Sequence, residues 1–115
     1  MAERVGVVAV AQTQFEKAKP AWRPHELTHQ VVEEVLAKTG LTFAKDGGGI
    51  DCTLTCSSDH FDGRTISNIA HGEVSGSHLG VEEKVAMDGA NAVAFGMIQI
   101  LSGHYDVVLV TAATK

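Results

Sequence analysis

Two cysteines, Cys52 and Cys56, are the residues of this chain best suited to covalent chemistry. They lie in residues 50–56, where apolar and polar residues alternate, and this alternation predicts a strand with both thiols on one face. Four strand steps separate the thiols by roughly 13 Å, which is too far for a disulfide or a shared metal ion. We therefore predict two separate, buried thiols, with a nucleophile at Cys56 as the alternative.

Six histidines could ligate a metal ion or transfer protons. His25 and His29 lie one helical turn apart, as zinc ligands often do, but no third ligand adjoins them in sequence. The polar face of a helix accounts for both residues, so we predict no metal site. His60, His71 and His78 follow in a segment with weak structural signals. There a general base is an alternative to loop histidines without a catalytic role.

Asp88 is the acidic residue with the most suggestive position. It stands with Gly89 before residues 90–101, which are almost all apolar or small. Such a run predicts a helix that is buried on every face and that Asp88 caps through its side-chain oxygen. Because a carboxylate at a helix N-terminus could also orient a substrate or accept a proton, Asp88 is a candidate catalytic residue as well.

The whole chain shows patterns of alternating strands and helices, which predict one α/β domain spanning residues 1–115 with a mostly parallel sheet between two layers of helices. Residues 72–80, which are rich in Gly, Ser and His, are predicted to form a loop. The predicted strands cover residues 4–11, 50–56, 82–87 and 107–110, and the predicted helices cover residues 24–39, 64–70 and 90–101.

Charge and composition exclude several classes of function. The formal net charge is −5 and the nine basic residues are scattered, so neither a nucleic acid nor an anionic membrane surface is a predicted partner. No apolar run approaches the ~18 residues of a membrane-spanning helix, and no signal-peptide pattern follows Met1. We therefore expect a soluble, cytoplasmic protein whose 115 residues can bury a core of their own.

The stretch from Lys84 to Ala113 resembles the heart of the thiolase superfamily, especially the branch of the sterol-carrier-type thiolases, and the resemblance extends over nearly the whole chain. Residues 102–108, Ser-Gly-His-Tyr-Asp-Val-Val, match the Ser-Gly-x-Tyr-Asp-Val-Val turn and strand that follow the family's buried helix. Gly89 matches the glycine three residues after the family's nucleophilic cysteine, and this alignment puts Ala86 in the place of that cysteine. The resemblance implies the family's scaffold without its nucleophile.

Only part of a thiolase is implied by this resemblance. Family members consist of two pseudo-symmetric halves, each a five-stranded sheet covered by helices, and this chain corresponds to four of the five strands of the first half. In the family the fifth strand lies between the first and the fourth, so its absence would leave a gap in the sheet. The second half, with the family's catalytic histidine and second cysteine, and the loop region that binds most of coenzyme A have no counterpart here.

The resemblance also implies partners. Another chain is expected to supply the rest of the fold, and residues 82–87 are expected to pair across the two-fold axis of a homo- or hetero-oligomer. A coenzyme A thioester is the implied substrate, and no covalently bound cofactor is implied.

The function that the resemblance implies is that of a subunit or fragment of an acyl-CoA C-acyltransferase assembly, inactive as an isolated chain. Two alternatives remain. The first is a carbon–carbon lyase of the same fold, which needs no cysteine and is completed by another chain. The second is a noncatalytic structural or regulatory module that completes a partner's sheet.

Overall fold

The computed structural model describes residues 4–14, 16, 21–43, 49–56, 72–76, 79, 81–85 and 89–112. In this part of the chain the three strands form one parallel sheet, with strand order β2-β1-β3. The predicted α/β class is confirmed, with three strands in the described residues where four were expected. The elements are α1 (Pro24–Thr39), β1 (Cys52–Cys56), α2 (Gly72–Ser75), β2 (Val81–Val85), α3 (Gly89–Leu101) and β3 (Val108–Ala112).

Strand β1 forms the centre of the sheet and of the core. All five of its residues are buried, and Leu54 is completely inaccessible to solvent. Leu54 is in register with Glu83 on β2 and with Val110 on β3. Because side chains alternate along a strand, Cys52, Leu54 and Cys56 share one face of the sheet, as predicted.

Helix α3 packs on that face through Gly96. A Cβ atom at Gly96 would lie 3.2 Å from Leu54 Cδ1 and 3.2 Å from Val110 Cγ2, closer than most side chains approach each other. Glycine therefore lets the helix backbone lie directly on the two strands. Ala92, one turn earlier on the same side of the helix, is fully buried.

The outer side of α3 corrects the prediction of a helix buried on every face. Val93 is 53% exposed and Ile98 is 57% exposed. The prediction is wrong because an apolar helix becomes buried only where something packs against it, and the packing partners of α3 among the described elements are strands on one side. The other large apolar residues of α3 that are exposed are Phe95, Met97 and Leu101.

Helix α1 covers the opposite face of the sheet. Val32 packs with Leu109 and Ile50, and these buried side chains form a compact cluster. The helix ends as predicted at Gly40, whose φ of 71° is left-handed and whose N–H donates to the Leu36 carbonyl oxygen at 2.8 Å. The half-buried residues around this cluster are Val35, Leu36, Leu41, Phe43 and Val107.

Residues 4–11 do not form the predicted first strand. Val8 is 80% exposed, and Val7 and Val10 are exposed nearly as much. The segment is tied to α1 by Lys38, whose Nζ donates to the Val10 carbonyl oxygen at 2.8 Å. The prediction is wrong because valine-rich sequence favours a strand only where a neighbouring edge accepts its hydrogen bonds.

Two further expectations concern the region between β1 and β2. Within the predicted loop over residues 72–80, residues 72–75 form the short helix α2, so the prediction is wrong for these four residues. The predicted helix over residues 64–70 lies outside the described residues.

Candidate functional site

The candidate site lies at the carboxyl edge of the parallel sheet. The three strands end in register at Val85, Cys56 and Ala112. Helix α3 begins at Gly89, where an added Cβ would lie 3.5 Å from the Ala112 Cβ, so its N-terminus stands beside this edge. Open parallel sheets bind ligands outside the carboxyl ends of their strands, where helix N-termini also converge.

Both predicted site residues belong to the connection from β2 to α3. Ala86 and Asp88 lie outside the described residues, and so do His60, His71 and His78. The described residues that flank the connection are Val85 and Gly89, and both lie at the carboxyl edge. The sequence assignment of this connection to a strand–turn–helix unit therefore agrees with the elements on either side of it.

Cys56 is the described thiol at this edge. It ends β1 and is buried on the face that α3 covers. Cys52 is buried at the opposite end of the strand, and no disulfide joins the two residues, which confirms that prediction. Burial withholds both thiols from solvent, so neither is poised to attack a dissolved substrate.

Cys52 lies in an electrostatic environment that opposes thiolate formation. Burial, followed by the negative charges of Glu83 and Asp51, raises the pKa of the Cys52 thiol to about 11. A thiol with this pKa is almost wholly protonated at neutral pH, and the thiolate is the nucleophilic form. Cys52 is therefore a packing residue of the core.

We expect both thiols of the native chain to react slowly with a maleimide at pH 8 and rapidly in guanidinium chloride. Because the pKa of Cys52 is raised above that of an ordinary cysteine, the native chain gains Cys52 reactivity only as the pH approaches 11. The unfolded chain loses the thiol proton first, so stability should fall as the pH rises from 9 toward 11. Mass spectrometry of timed labelling measures the reactivity, and fast native labelling of Cys52 at pH 8 would contradict the expectation.

Two polar contacts at the sheet were not predicted from the sequence. Asp51 Oδ2 accepts hydrogen bonds from the backbone N–H of Asp106 at 2.8 Å and of Val107 at 3.1 Å, which fixes the start of β3 beside the start of β1. Gln99 Nε2 donates to Glu83 Oε2 at 2.8 Å and joins α3 to β2. An acidic residue directly before a buried strand is a sequence feature that could have predicted the Asp51 contact. The Gln99 contact has no such feature, because it depends on the pairing of two distant elements.

The histidines on α1 have an ordinary surface arrangement. His29 Nε2 lies 3.1 Å from Glu33 Oε1, one turn along the same helix, and both side chains are largely exposed. Among the residues that the structure describes, no group of three or more His, Cys, Asp or Glu side chains is arranged to hold a metal ion.

Comparison of the chain with protein-family models, with curated proteins and with solved structures found no match. Within the described ranges, none of the helices is both long and apolar enough to cross a membrane.

Proposed function

We propose that this chain is a thiolase-like subunit or fragment of an acyl-CoA C-acyltransferase assembly, and that it contributes scaffold and substrate-binding surface without a nucleophile. The observation that carries the proposal is the connection from β2 to α3 at the carboxyl edge of the sheet. In the family this connection holds the nucleophilic cysteine at a helix N-terminus, and here the matching residue is Ala86. An alanine methyl leaves room for a thioester but cannot accept an acyl group.

The outer edge of β3 supports the proposal that another chain adds a strand to the sheet. Among the described residues β3 pairs only with β1, so its other edge has backbone groups available for a further strand. The valine-rich residues 4–11, which match the family's first strand, lie outside the sheet. A fifth strand supplied by another chain would join β3 to residues 4–11, because in the family that strand lies between the first and the fourth.

The exposed apolar side of α3 supports the proposal that another part of the assembly covers this helix. Val93, Met97 and Leu101 follow one another at four-residue spacing and are exposed, so they form one apolar stripe along the outer side of the helix. An apolar stripe of this length on a soluble chain indicates a surface that a partner covers. In the proposed assembly the second half of the fold covers it.

Acyl transfer assays on two samples test the proposal. The isolated chain, mixed with a 3-oxoacyl-CoA and coenzyme A, is expected to show no thiolysis to two shorter acyl-CoA products, because acyl transfer between thioesters needs a covalent acceptor, or else both substrates held together with a base. The assembly captured through a tag on this chain is expected to transfer the acyl group. Transfer by the isolated chain, or an assembly that neither binds nor turns over acyl-CoA, would contradict the proposal.

The same assay separates the two alternatives. A carbon–carbon lyase would cleave an acyl-CoA without consuming free coenzyme A, and it needs no residue at position 86 that can form a thioester. A structural or regulatory module would bind its partner without any turnover. The open edge of β3 and the apolar stripe on α3 fit this second alternative as well, so turnover by the assembly decides between them.

A further inference from the structure

Two buried threonines lie side by side near the carboxyl edge of the sheet. Thr55 on β1 and Thr111 on β3 are in register. Leu54 and Val110, the residues before them, face α3 at Gly96. Since side chains alternate along a strand, both threonine side chains lie on the opposite face, which α1 covers. Neighbouring strands are about 4.8 Å apart, so one small group can contact both threonines.

The hydroxyl groups of these threonines are buried without a partner. Thr55 is 3% exposed and Thr111 is 6% exposed. Within the part of the chain that the structure describes, neither Oγ1 atom has a hydrogen-bond partner. A buried hydroxyl that makes no hydrogen bond destabilises a fold, whereas the methyl group of a valine in the same place has no such cost. Two such threonines side by side therefore indicate a polar ligand that both hydroxyls bind.

A lysine completes the row of residues that contains the two threonines. Lys84 on β2 is in register with Thr55. Because Glu83 faces α3, where it accepts the hydrogen bond from Gln99, Lys84 lies on the same face as the threonines. Lys84 is half-buried and has an interaction of its own, and an ammonium group with three N–H donors can keep that interaction while it attracts an anion. Glu82, two residues away on the same face, is exposed, so solvent screens its negative charge.

We propose that Lys84, Thr55 and Thr111 form a binding site for a small oxyanion, a phosphate or a carboxylate group. Each hydroxyl donates one hydrogen bond to the anion, and Lys84 supplies a positive charge. The three residues each lie one position before the carboxyl end of their strand, at the edge where open parallel sheets bind ligands. They lie on the face away from α3, and the site does not depend on the proposed function.

Thermal unfolding with sodium phosphate or sodium acetate, compared with sodium chloride of equal ionic strength, tests the site. At least one of the two anions is expected to raise the melting temperature of the wild-type chain by about 4 °C or more, because a ligand that binds only the folded state stabilises it. Phosphate also stabilises proteins by exclusion from their surface, and this effect does not depend on single hydroxyl groups. The specific response is therefore the difference between the wild-type chain and variants of the site.

Thr55→Val and Thr111→Val are expected to lose the specific response to the anion. Without the anion, each variant should be as stable as the wild-type chain or more stable, because valine removes a hydroxyl that has no partner. Lys84→Met keeps an apolar stem and removes the charge. It should therefore raise severalfold the anion concentration that gives half of the shift in melting temperature.

Thr39→Val is the matched control for the two valine variants. The Thr39 hydroxyl lies at the end of α1, donates to the Val35 carbonyl oxygen at 2.9 Å and accepts from the Leu41 N–H at 3.2 Å. Removal of this bonded hydroxyl should lower the melting temperature. The response to the anion should remain that of the wild-type chain.

Three results decide between the possible outcomes. A wild-type chain that responds to neither anion more than both valine variants do would overturn the proposal. Thr55→Val and Thr111→Val variants as destabilised as Thr39→Val would also overturn it, since their hydroxyls would then be bonded within the chain. A response to acetate alone assigns the site to a carboxylate group, and a specific response to phosphate alone assigns it to a phosphate group.

Discussion

Gly96→Leu is expected to destabilise the chain by about 1–3 kcal/mol, because it forces a side chain between α3 and the sheet. Its first atom alone would lie 3.2 Å from Leu54 Cδ1 and from Val110 Cγ2, and both strands are held in place by the parallel ladders through β1. The remaining leucine atoms extend from this tight contact, so the neighbouring side chains or the helix must shift. Thermal unfolding followed by circular dichroism measures the loss.

Ala94→Leu is the matched control for this substitution. Ala94 lies in the same helix, half a turn from Gly96, and its side chain is exposed. The same residue introduced there is expected to leave the melting temperature nearly unchanged, since leucine and alanine are both good helix formers. A Gly96→Leu variant as stable as the Ala94→Leu variant would contradict the close contact between α3 and β1.

Local sequence patterns predicted the elements well wherever the signal lies in the element itself. The apolar spacing and the terminal Gly40 fixed the bounds of α1, and the small apolar run predicted α3 to within one residue of its start. The alternation in β1 placed Cys52 and Cys56 on one face. These features depend on periodicity and on end signals, which a few neighbouring residues determine.

Two of the wrong predictions share one physical cause. Residues 4–11 have the composition of a strand and α3 has the composition of a fully buried helix, yet both expose apolar side chains to solvent. Composition shows what an element can bury, whereas the packing partner decides what it does bury. The Asp51 and Gln99 contacts were missed for a related reason, since each joins parts of the chain that only the folded sheet brings together.

The sequence predicted which part of the chain forms the candidate site, but not the three-dimensional arrangement of that site. Two sequence features, the motif at residues 102–108 and the separate Gly89, identified the connection between β2 and α3 as the candidate site. Parallel pairing in register puts the end of β2 at the carboxyl edge, which no local pattern could establish. The role of Ala86 is part of the proposal, and the catalytic role of Asp88 stays a sequence prediction.

Restoring a nucleophile with Ala86→Cys is expected to create the most reactive thiol of the chain. In the proposed fold residue 86 stands just before the N-terminus of α3, and the partial positive charge of a helix N-terminus stabilises a thiolate. The new thiol should therefore have a pKa below the ~8.5 of an unperturbed cysteine. Cys52, with a pKa raised to about 11, contributes little alkylation at neutral pH.

Two comparisons make this expectation specific. The wild-type chain measures the background reactivity of Cys52 and Cys56, which are both buried. Ala94→Cys places an exposed thiol in the middle of the same helix, away from its N-terminus, and should react with a pKa near ~8.5. The difference between the variants at positions 86 and 94 isolates the effect of the helix terminus.

The rate of iodoacetamide alkylation of the Ala86→Cys variant, measured against pH, tests the central claim most directly. If the connection from β2 to α3 is the family's nucleophile turn, the rate reaches half its maximum at a pH below ~8.5 and below the value for Ala94→Cys. If the half-maximum lies at or above the value for Ala94→Cys, residue 86 does not stand at a helix N-terminus. In that case the alignment with the thiolase nucleophile turn is wrong, and the proposed function loses its basis.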